Sequence, residues 1–244
     1  MKNLLCIDDT DEKGGPGTGH LLQALCDRIE EKGWGDSSAI SRHQLFVDDA
    51  IPYTSHNSTL CCEVLFNRRS LQELIEFCGT YLEENSAPGS DPGLCVVALN
   101  PGIDRHRLIE FGRRAKQEVI AKQEAYRLAR HLGVHLSEHG GTGQGVVGAL
   151  AGTGLRLSEN DGRFRGWYHL GRAGEGCRVA ELTVHSFIDI VRSEATGEAL
   201  SPETVVRFGG DELKLVLKDG RQTLLVREDD GGWRTLTKEE VKRY

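Results

Sequence analysis

The stretch LCIDDTDEKGGPGTGH, residues 5–20, joins a short apolar run to three closely spaced aspartates and a glycine-rich turn. The apolar run predicts a buried strand over residues 4–7, and the glycines predict the loop that ends it. A helix is predicted next, over about residues 20–32, because its leucines recur on one face and Gly33 can end it. The aspartates are therefore expected at the carboxyl end of a strand, where open α/β sheets hold their ligands.

The three aspartates of this stretch are candidates for metal binding or catalysis. Asp8, Asp9 and Asp11 cannot all stay ionised at close range unless a cation or several hydrogen-bond donors offset their repulsion. Mg²⁺ carrying a phosphate suits such a cluster, because it prefers one or two carboxylates with water and substrate oxygens. One carboxylate could also accept a hydroxyl proton during phosphoryl transfer. The structural alternative is that Asp8 or Asp9 caps backbone N–H groups of the turn.

Strands and helices alternate after this opening segment. Strands are predicted over residues 60–66 and 94–100, and a helix over residues 71–83 lies between them. The stretch SAPGSDPG, residues 86–93, is a loop by its composition. This alternation predicts an α+β or mixed α/β class, in which helices cover a mixed β-sheet.

A long basic helix is predicted after the second of these strands. Asp104 is a suitable N-cap, and the pattern continues to about residue 131, before Gly133. Eight Lys and Arg against three Glu give residues 105–131 a charge of +5. The 104–131 helix is thus the predicted contact for the phosphate backbone of RNA or tRNA, and a solvated helix face is the alternative.

Short strands replace this alternation beyond Arg163. The stretch VAELTVHSFIDIV, residues 179–191, gives the strongest strand pattern, and Asp219-Gly220 predicts a hairpin turn. The predicted organisation has three parts: a kinase-like α/β domain over 1–160, a β-rich continuation over 161–199 and a small β appendage over 200–244.

The composition limits the classes of protein that this sequence can represent. It has 244 residues, 38% of them hydrophobic, and a net charge of −7, so the whole molecule does not attract nucleic acid or an anionic membrane. The first residues lack the apolar core of a signal peptide, and no long apolar run predicts a membrane span; a cytoplasmic location is expected. The seven cysteines include no CxxC pair, which predicts reduced, buried thiols.

A second glycine-rich stretch, EHGGTGQGVVGALAGTG, covers residues 138–154. Its first glycines leave backbone amides bare, and the apolar run that follows starts a helix whose N-terminus would point at a bound phosphate. No Lys-Ser/Thr pair follows, so the stretch is not a Walker A loop. A tight turn with close helix packing is the alternative, and Gly148 and Gly152 are expected to serve packing.

A third stretch, SRHQLFVDDAIPYTSHNSTL, covers residues 41–60 and places Arg42, His56 and Asn57 around an Ile51-Pro52 turn. By itself it indicates no site, since a single histidine is usually an ordinary surface or core residue.

Taken in order, IDDTD with GGPGTGH, IPYTSHN, NPGI and GTGQGVVGALAGTG resemble a known family. The sequence is similar, over roughly residues 4–155, to the amino-terminal half of archaeal tRNA-isoleucine agmatinylcytidine synthetases. In that family a kinase-like domain uses ATP to phosphorylate a tRNA cytidine, and agmatine then displaces the phosphate. The resemblance implies a transferase with ATP and Mg²⁺ as its cofactors.

The resemblance also implies roles for individual residues. It implies metal binding and phosphoryl transfer by the three aspartates, and it matches the family's phosphate-accepting threonine with Thr18. The family usually has a Thr-Thr pair where this chain has Thr18-Gly19. The implied nucleotide-binding positions are Arg42, Asn57, Gly141, Gly143, Gln144 and Gly145.

The family continues into an OB-fold domain and a cysteine zinc ribbon that grip the tRNA, and these 244 residues contain neither. We therefore expect a stand-alone relative of the kinase-like part, with a ferredoxin-like region partly represented after Arg163. The expected activity is ATP- and Mg²⁺-dependent phosphotransfer to a nucleoside, an RNA or another small acceptor. The alternatives are a non-catalytic module that senses a nucleotide or anion, and an RNA-binding protein.

Overall fold

The computed structural model of the protein describes residues 2–49, 51, 57–67 and 70–244. His56 and the Pro52 turn of the third stretch lie outside these residues. Two compact units are present, Met1–Ser158 and Glu159–Tyr244, called unit 1 and unit 2. The described residues form thirteen strands and seven helices, which confirms the predicted α+β class. None of these helices is long and apolar enough to cross a membrane.

Unit 1 is built from six strands and five helices within the described residues. In chain order they are β1 (Lys2–Asp8), α1 (Thr18–Glu31), β2 (Gly35–Ser37), β3 (Ser41–Gln44), β4 (Ser58–Phe66), α2 (Leu71–Asn85), β5 (Gly93–Ala98), α3 (Arg105–Arg114), α4 (Lys122–Leu132), β6 (His135–Glu138) and α5 (Gly145–Leu157). The strands lie in the order β6-β5-β1-β4-β3, and β2 also pairs with β4.

Neighbouring strands in this sheet run antiparallel. Adjacent strands therefore end at opposite edges, and their carboxyl ends do not meet at one edge as they do in a parallel sheet. Asp8 is still the last residue of a central strand, since β1 lies between β4 and β5, and Asp9 and Asp11 follow it.

Helices cover both faces of the sheet, and the alternation of side chains along β1 explains why. Leu5 and Ile7 face a core that includes buried residues of α1 and α2. Leu4 and Cys6 face the opposite core, which includes buried residues of α3, α4 and α5. Successive side chains of a strand point to opposite faces, so the apolar run of β1, residues 4–7, has to be buried on both sides. This burial fixes the end of β1 in the middle of unit 1.

The predicted long helix is wrong, because it is interrupted between α3 and α4. Its two ends are as predicted: Asp104 accepts a hydrogen bond from the Arg107 N–H at 3.2 Å, and Gly133 ends α4 with a left-handed φ of 65°. Between them, the Ala115 carbonyl accepts a bond from the Phe46 N–H at 2.9 Å, and Ile120 is buried in the core. These tertiary contacts override the local preference for helix.

Unit 2 contains seven strands and two short helices. They are β7 (Arg163–Phe164), β8 (Gly176–Arg178), α6 (Val179–Leu182), β9 (Ile190–Ser193), β10 (Val205–Arg207), β11 (Val216–Lys218), β12 (Arg221–Asp229), β13 (Gly232–Thr235) and α7 (Lys238–Val241). The strand order is β7-β11-β12-β13-β10-β8, and β9 pairs with β12. The predicted hairpin joins β11 to β12, and Asp219 and Gly220 adopt the left-handed φ values of 48° and 70° that such a turn requires.

The strand predicted over residues 179–191 is wrong for most of its length. Val179 and Leu182 are buried on one side of α6, and the Glu181 carboxylate accepts the Arg178 N–H at 2.8 Å at the start of this helix. Only the last residues of the stretch enter β9. This strand runs parallel to β12, so the ranges predicted as 161–199 and 200–244 share one sheet.

Candidate functional site

A cavity of about 390 Å³ lies in unit 1 where β1 ends and α5 begins. One part of its lining is polar and the other is mainly apolar. The polar part consists of Asp8, Asp9, Asp11, Thr18, Asn57, Ser58, Gln144, Gly145 and Gly148. The remaining lining residues are Leu45, Ile51, Ala115, Glu118, Val119, Ile120 and Val147. The acidic stretch and the second glycine-rich stretch thus surround the same cavity.

Asp8 is the last residue of β1 and is buried, with 8% of its surface exposed. Its carboxylate packs against Gly148, where a Cβ would overlap the carboxylate oxygen. Burial raises the pKa of Asp8 well above its usual value, and the charges of Asp9 and Asp11 raise it further. An ionised Asp8 therefore requires a positive charge close by.

Asp9 turns the chain away from β1 with a left-handed φ of 52°, a conformation that aspartate tolerates better than most residues. Burial raises the pKa of its carboxyl to about 6, with added repulsion from Asp91 and Asp11. This carboxyl thus gains or loses its proton close to neutral pH, and such a group can serve as a general base or as a metal ligand.

Thr18 begins α1, and its hydroxyl donates to Asp11 Oδ1 at 3.3 Å. The backbone N–H of Thr10 in turn donates to Thr18 Oγ1 at 3.4 Å. Only 7% of Thr18 is exposed, so these two bonds hold its hydroxyl at the wall of the cavity next to a carboxylate.

The sequence predicted that the glycine-rich loop before α5 leaves its backbone amides without hydrogen-bond partners. In the structure, two of these amides have a partner. The N–H groups of Thr142 and Gly143 both donate to Asp91 Oδ1, the second at 3.3 Å. The N–H groups at the start of α5 have few acceptors within the helix, although that of Val147 donates to the Gln144 carbonyl at 3.1 Å. Gly145, which lines the cavity, is the first residue of this helix.

Close backbone packing brings the start of α5 to the end of β1. A Cβ at Gly145 would overlap the Asp91 carbonyl oxygen, and a Cβ at Gly93 would overlap the Gly145 backbone. These two glycines therefore let the helix approach β5 and β1 directly. As a result, the positive end of the α5 dipole lies at the same cavity as the aspartates.

Arg42 and Asn57 support the wall of the cavity. Arg42 Nε donates to Ser58 Oγ at 2.8 Å, and Ser58 rather than Arg42 is among the lining residues of the described chain. Burial lowers the pKa of Arg42, and the charge of Asp11 opposes this effect. Asn57 lines the cavity, but its Nδ2 donates to the Phe46 carbonyl at 2.6 Å. Both side chains are thus engaged within the protein.

The donor set suits a hard divalent cation that is completed by other oxygen ligands. Among the described residues, no three His, Cys, Asp or Glu side chains are arranged to hold one metal ion. Mg²⁺ commonly takes only one or two carboxylates together with water and phosphate oxygens. The carboxylates of Asp8 and Asp9 meet this smaller requirement. A bound cation would favour their ionised forms and so lower the pKa of both, which burial raises.

Sequence reasoning missed two contributors to the site. Asp91 lies in SAPGSDPG, which its composition predicted only as a loop, yet its carboxylate binds the glycine-rich loop. The segment between α3 and α4, predicted as helix, gives the cavity four lining residues. The only sequence feature that pointed to Asp91 was its place in an Asp-Pro-Gly sequence directly before a predicted strand. That feature does not identify the residues that Asp91 contacts.

No protein-family model matches this chain, and no curated protein matches it. Its structure is similar to that of TiaS in complex with an isoleucine tRNA and ATP, with a TM-score of 0.55 and 24% identity over 63% of this chain and 36% of the other. It is also similar to a tRNA fluorescent labeling enzyme (TM-score 0.54, 24% identity, 63% and 36% covered) and to apo TiaS, a tRNA agmatidine synthetase (0.53, 22%, 63% and 35%).

This chain spans about a third of the length of those structures. The covered share of the chain is about as long as unit 1. The similarity confirms the kind of fold that the sequence resemblance implied.

Proposed function

We propose that this chain binds ATP with Mg²⁺ in the cavity of unit 1 and transfers a phosphoryl group to an acceptor on a nucleoside or RNA. The observation that carries this proposal is the meeting of three carboxylates and a helix N-terminus at one cavity. Support comes from the similar fold of a protein whose structure was solved with a tRNA and ATP. Transfer RNA is accordingly the first acceptor to test.

The start of α5 would bind the phosphates. The first N–H groups of this helix and the positive end of its dipole both favour an anion at Gly145. Asp8 and Asp9, which line the same cavity, would hold the cation. Bound Mg²⁺ would neutralise phosphate charge and stabilise the ionised carboxylates.

Asp11 and Thr18 are positioned for a proton transfer. Thr18 Oγ1 already donates to Asp11 Oδ1 at 3.3 Å, so this carboxylate can take the hydroxyl proton. In self-phosphorylation, the Thr18 oxygen would bond to the γ-phosphorus while the bond to the β,γ-bridging oxygen breaks and ADP leaves. An external hydroxyl at the same place would react in the same way.

The basic segments of α3 and α4 remain the proposed contact for an RNA backbone. Their charges are not equally available, because Arg114 Nε donates to Glu118 Oε1 at 2.6 Å and its other arm donates to Glu124. Arg113 is therefore a better residue than Arg114 with which to test RNA binding.

The proposal is tested by incubating the protein with γ-labelled ATP and Mg²⁺, alone and with total tRNA. Label is expected on the protein or the RNA, and Asp9→Asn and Asp11→Asn should each lower the rate at least a hundredfold. Asp27→Asn is the matched control, since Asp27 lies on α1, pairs with Gln23 and does not line the cavity.

Failure of the folded wild-type protein to bind ATP would reject the proposal. Binding of ATP without any transfer, unchanged by Asp11→Asn, would instead favour the nucleotide-sensing alternative.

A further inference from the structure

Asp91 holds the glycine-rich loop through three hydrogen bonds. Its carboxylate accepts the Thr142 N–H, the Thr142 hydroxyl at 2.6 Å and the Gly143 N–H at 3.3 Å. Only 9% of Asp91 is exposed, so the carboxylate that accepts these bonds is itself largely shielded from bulk water. Bonds to an ionised acceptor in such surroundings are stronger than bonds between neutral groups.

Lys122 holds the same loop from its other side. Its Nζ donates to the Thr142 carbonyl at 2.6 Å and to Glu138 Oε2 at 3.2 Å. Every polar group of Thr142, namely its N–H, hydroxyl and carbonyl, is thus bound by Asp91 or Lys122. An otherwise exposed loop residue is fixed by contacts with two separate parts of unit 1.

The glycines of the loop fit this arrangement. Gly141 and Gly143 have left-handed φ values of 54° and 76°. A Cβ at Gly141 would overlap the Asp91 carboxylate, and one at Gly143 would overlap the Glu138 carboxylate. The absence of side chains at these two positions makes room for the two carboxylates. This packing accounts for both glycines without a direct contact to phosphate.

The loop runs directly into the helix that faces the cavity. Gln144 and Gly145 follow the residues bound by Asp91, and both line the cavity. We infer that Asp91, acting with Thr142 and Lys122, is a positioning residue that holds the loop so that the N-terminus of α5 points into the cavity. This inference rests on the proposed function, in which that N-terminus binds the phosphates of ATP.

Two measurements on the full chain test the inference. Hydrogen exchange of the amides of residues 140–146, without nucleotide, reports whether the loop is held. Titration with ATP and Mg²⁺ reports whether this matters for binding. Asp91→Ala and Thr142→Val are each expected to speed loop exchange and to weaken ATP binding, both at least tenfold, whereas Thr142→Ser, which keeps the hydroxyl, should behave as wild type.

The controls separate an effect on the site from a loss of folding. Thr142→Val alters an exposed residue and should leave the melting temperature unchanged, so it serves if Asp91→Ala folds poorly. Asp211→Ala removes another loop carboxylate, which accepts the Ala173 N–H at 2.8 Å in unit 2, and it should change neither measurement.

Unchanged loop exchange in Thr142→Val and in folded Asp91→Ala would overturn the inference. Faster exchange with unchanged ATP affinity would also overturn it, since the loop would then be held for another purpose. If the wild type binds no ATP while the variants exchange faster, the proposed function fails and the holding of the loop stands as a separate result.

Discussion

The carboxylate of Asp8 lies against the Cα of Gly148, in the space that any other side chain at position 148 would occupy. Asp8 ends β1, and Gly148 lies in the first turn of α5. This contact therefore joins two stretches that the sequence could only present separately. It also makes a packing glycine part of the site, because its missing side chain is what makes room for a carboxylate of the cavity.

Gly148→Ala should disturb the cavity more than it disturbs the fold. The new methyl group would displace Asp8, which costs about 1–3 kcal/mol of unfolding free energy and weakens ATP binding at least tenfold. Gly152→Ala is the matched control on the same helix, since its methyl group would overlap Cys6 and Thr59 instead. It should cost similar stability and keep ATP affinity. Calorimetric titration and thermal unfolding measure the two effects, and equal ATP affinity in Gly148→Ala and wild type would contradict the assignment.

Asp9→Asn should stabilise the protein at neutral pH in the absence of Mg²⁺. The folded-state pKa of Asp9 is raised from 3.8 to about 6, first by burial, so wild-type stability falls as the pH rises through this range. An asparagine has no such dependence, and the variant should melt a few degrees higher at neutral pH, with no difference below pH 3.8.

Mg²⁺ provides the control for this titration. Because the ion would offset the repulsion among the carboxylates, it should raise the melting temperature of the wild type more than that of Asp9→Asn. Thermal unfolding across the pH range, with and without Mg²⁺, gives both comparisons. Equal melting temperatures of the two proteins at all pH values would show that folding does not raise the pKa of Asp9.

Local sequence patterns were sufficient for the elements that form the centre of unit 1. The apolar run before the aspartates predicts β1, and the repeat of buried leucines predicts α1, since both patterns persist when the chain folds. The Asp219-Gly220 turn was equally predictable, because few residues adopt the required left-handed conformation. Such features depend on near neighbours in the chain.

Features that depend on distant contacts were not predictable in this way. The break between α3 and α4 needs the segment at Phe46 to bind Ala115, and nothing within residues 104–131 encodes that partner. The role of Asp91 depends on a loop some fifty residues later, at Thr142. The break in the helix and the Asp91 contact both lie at the cavity or support it. The sequence therefore did not predict the parts of the site that depend on tertiary contacts.

Arg114→Ala should loosen the segment that connects α3 to α4. Arg114 bonds to Glu118 within this segment and to Glu124 beyond it, and all three side chains are partly exposed. Loss of two such pairs should cost about 1 kcal/mol of unfolding free energy. Hydrogen exchange of residues 115–121 should increase, and ATP binding should weaken because Glu118 and Val119 line the cavity.

Arg113→Ala is the control for this variant, since it removes the neighbouring charge from the end of the same helix. It should leave stability and exchange unchanged and affect only RNA affinity. Identical exchange in the two variants would show that Arg114 does not hold the segment.

Glu240→Gln should destabilise unit 2 at neutral pH. Glu240 accepts bonds from Arg227 at 2.7 Å and from both terminal nitrogens of Arg234 at 2.7 and 2.9 Å. The bonds from Arg234 are the main cause that lowers the pKa of Glu240 from 4.5 to about 2. Hydrogen bonds to charged groups contribute about 1.5–3 kcal/mol, and we expect a loss of about 2 kcal/mol of unfolding free energy.

The pH dependence of this loss distinguishes the ion pair from simple packing. A lowered folded-state pKa gives stability that is present above pH 4.5 and is lost as the pH falls toward 2, so the difference between wild type and Glu240→Gln should shrink over that range. Glu239→Gln is the matched control, because Glu239 is 77% exposed and pairs only with Lys242 among the described residues. Chemical unfolding of the full chain, followed by hydrogen exchange of the β12 and β13 amides in unit 2, measures the difference. A loss that stays constant from neutral pH to pH 2 would assign the effect of Glu240 to packing rather than to its charge.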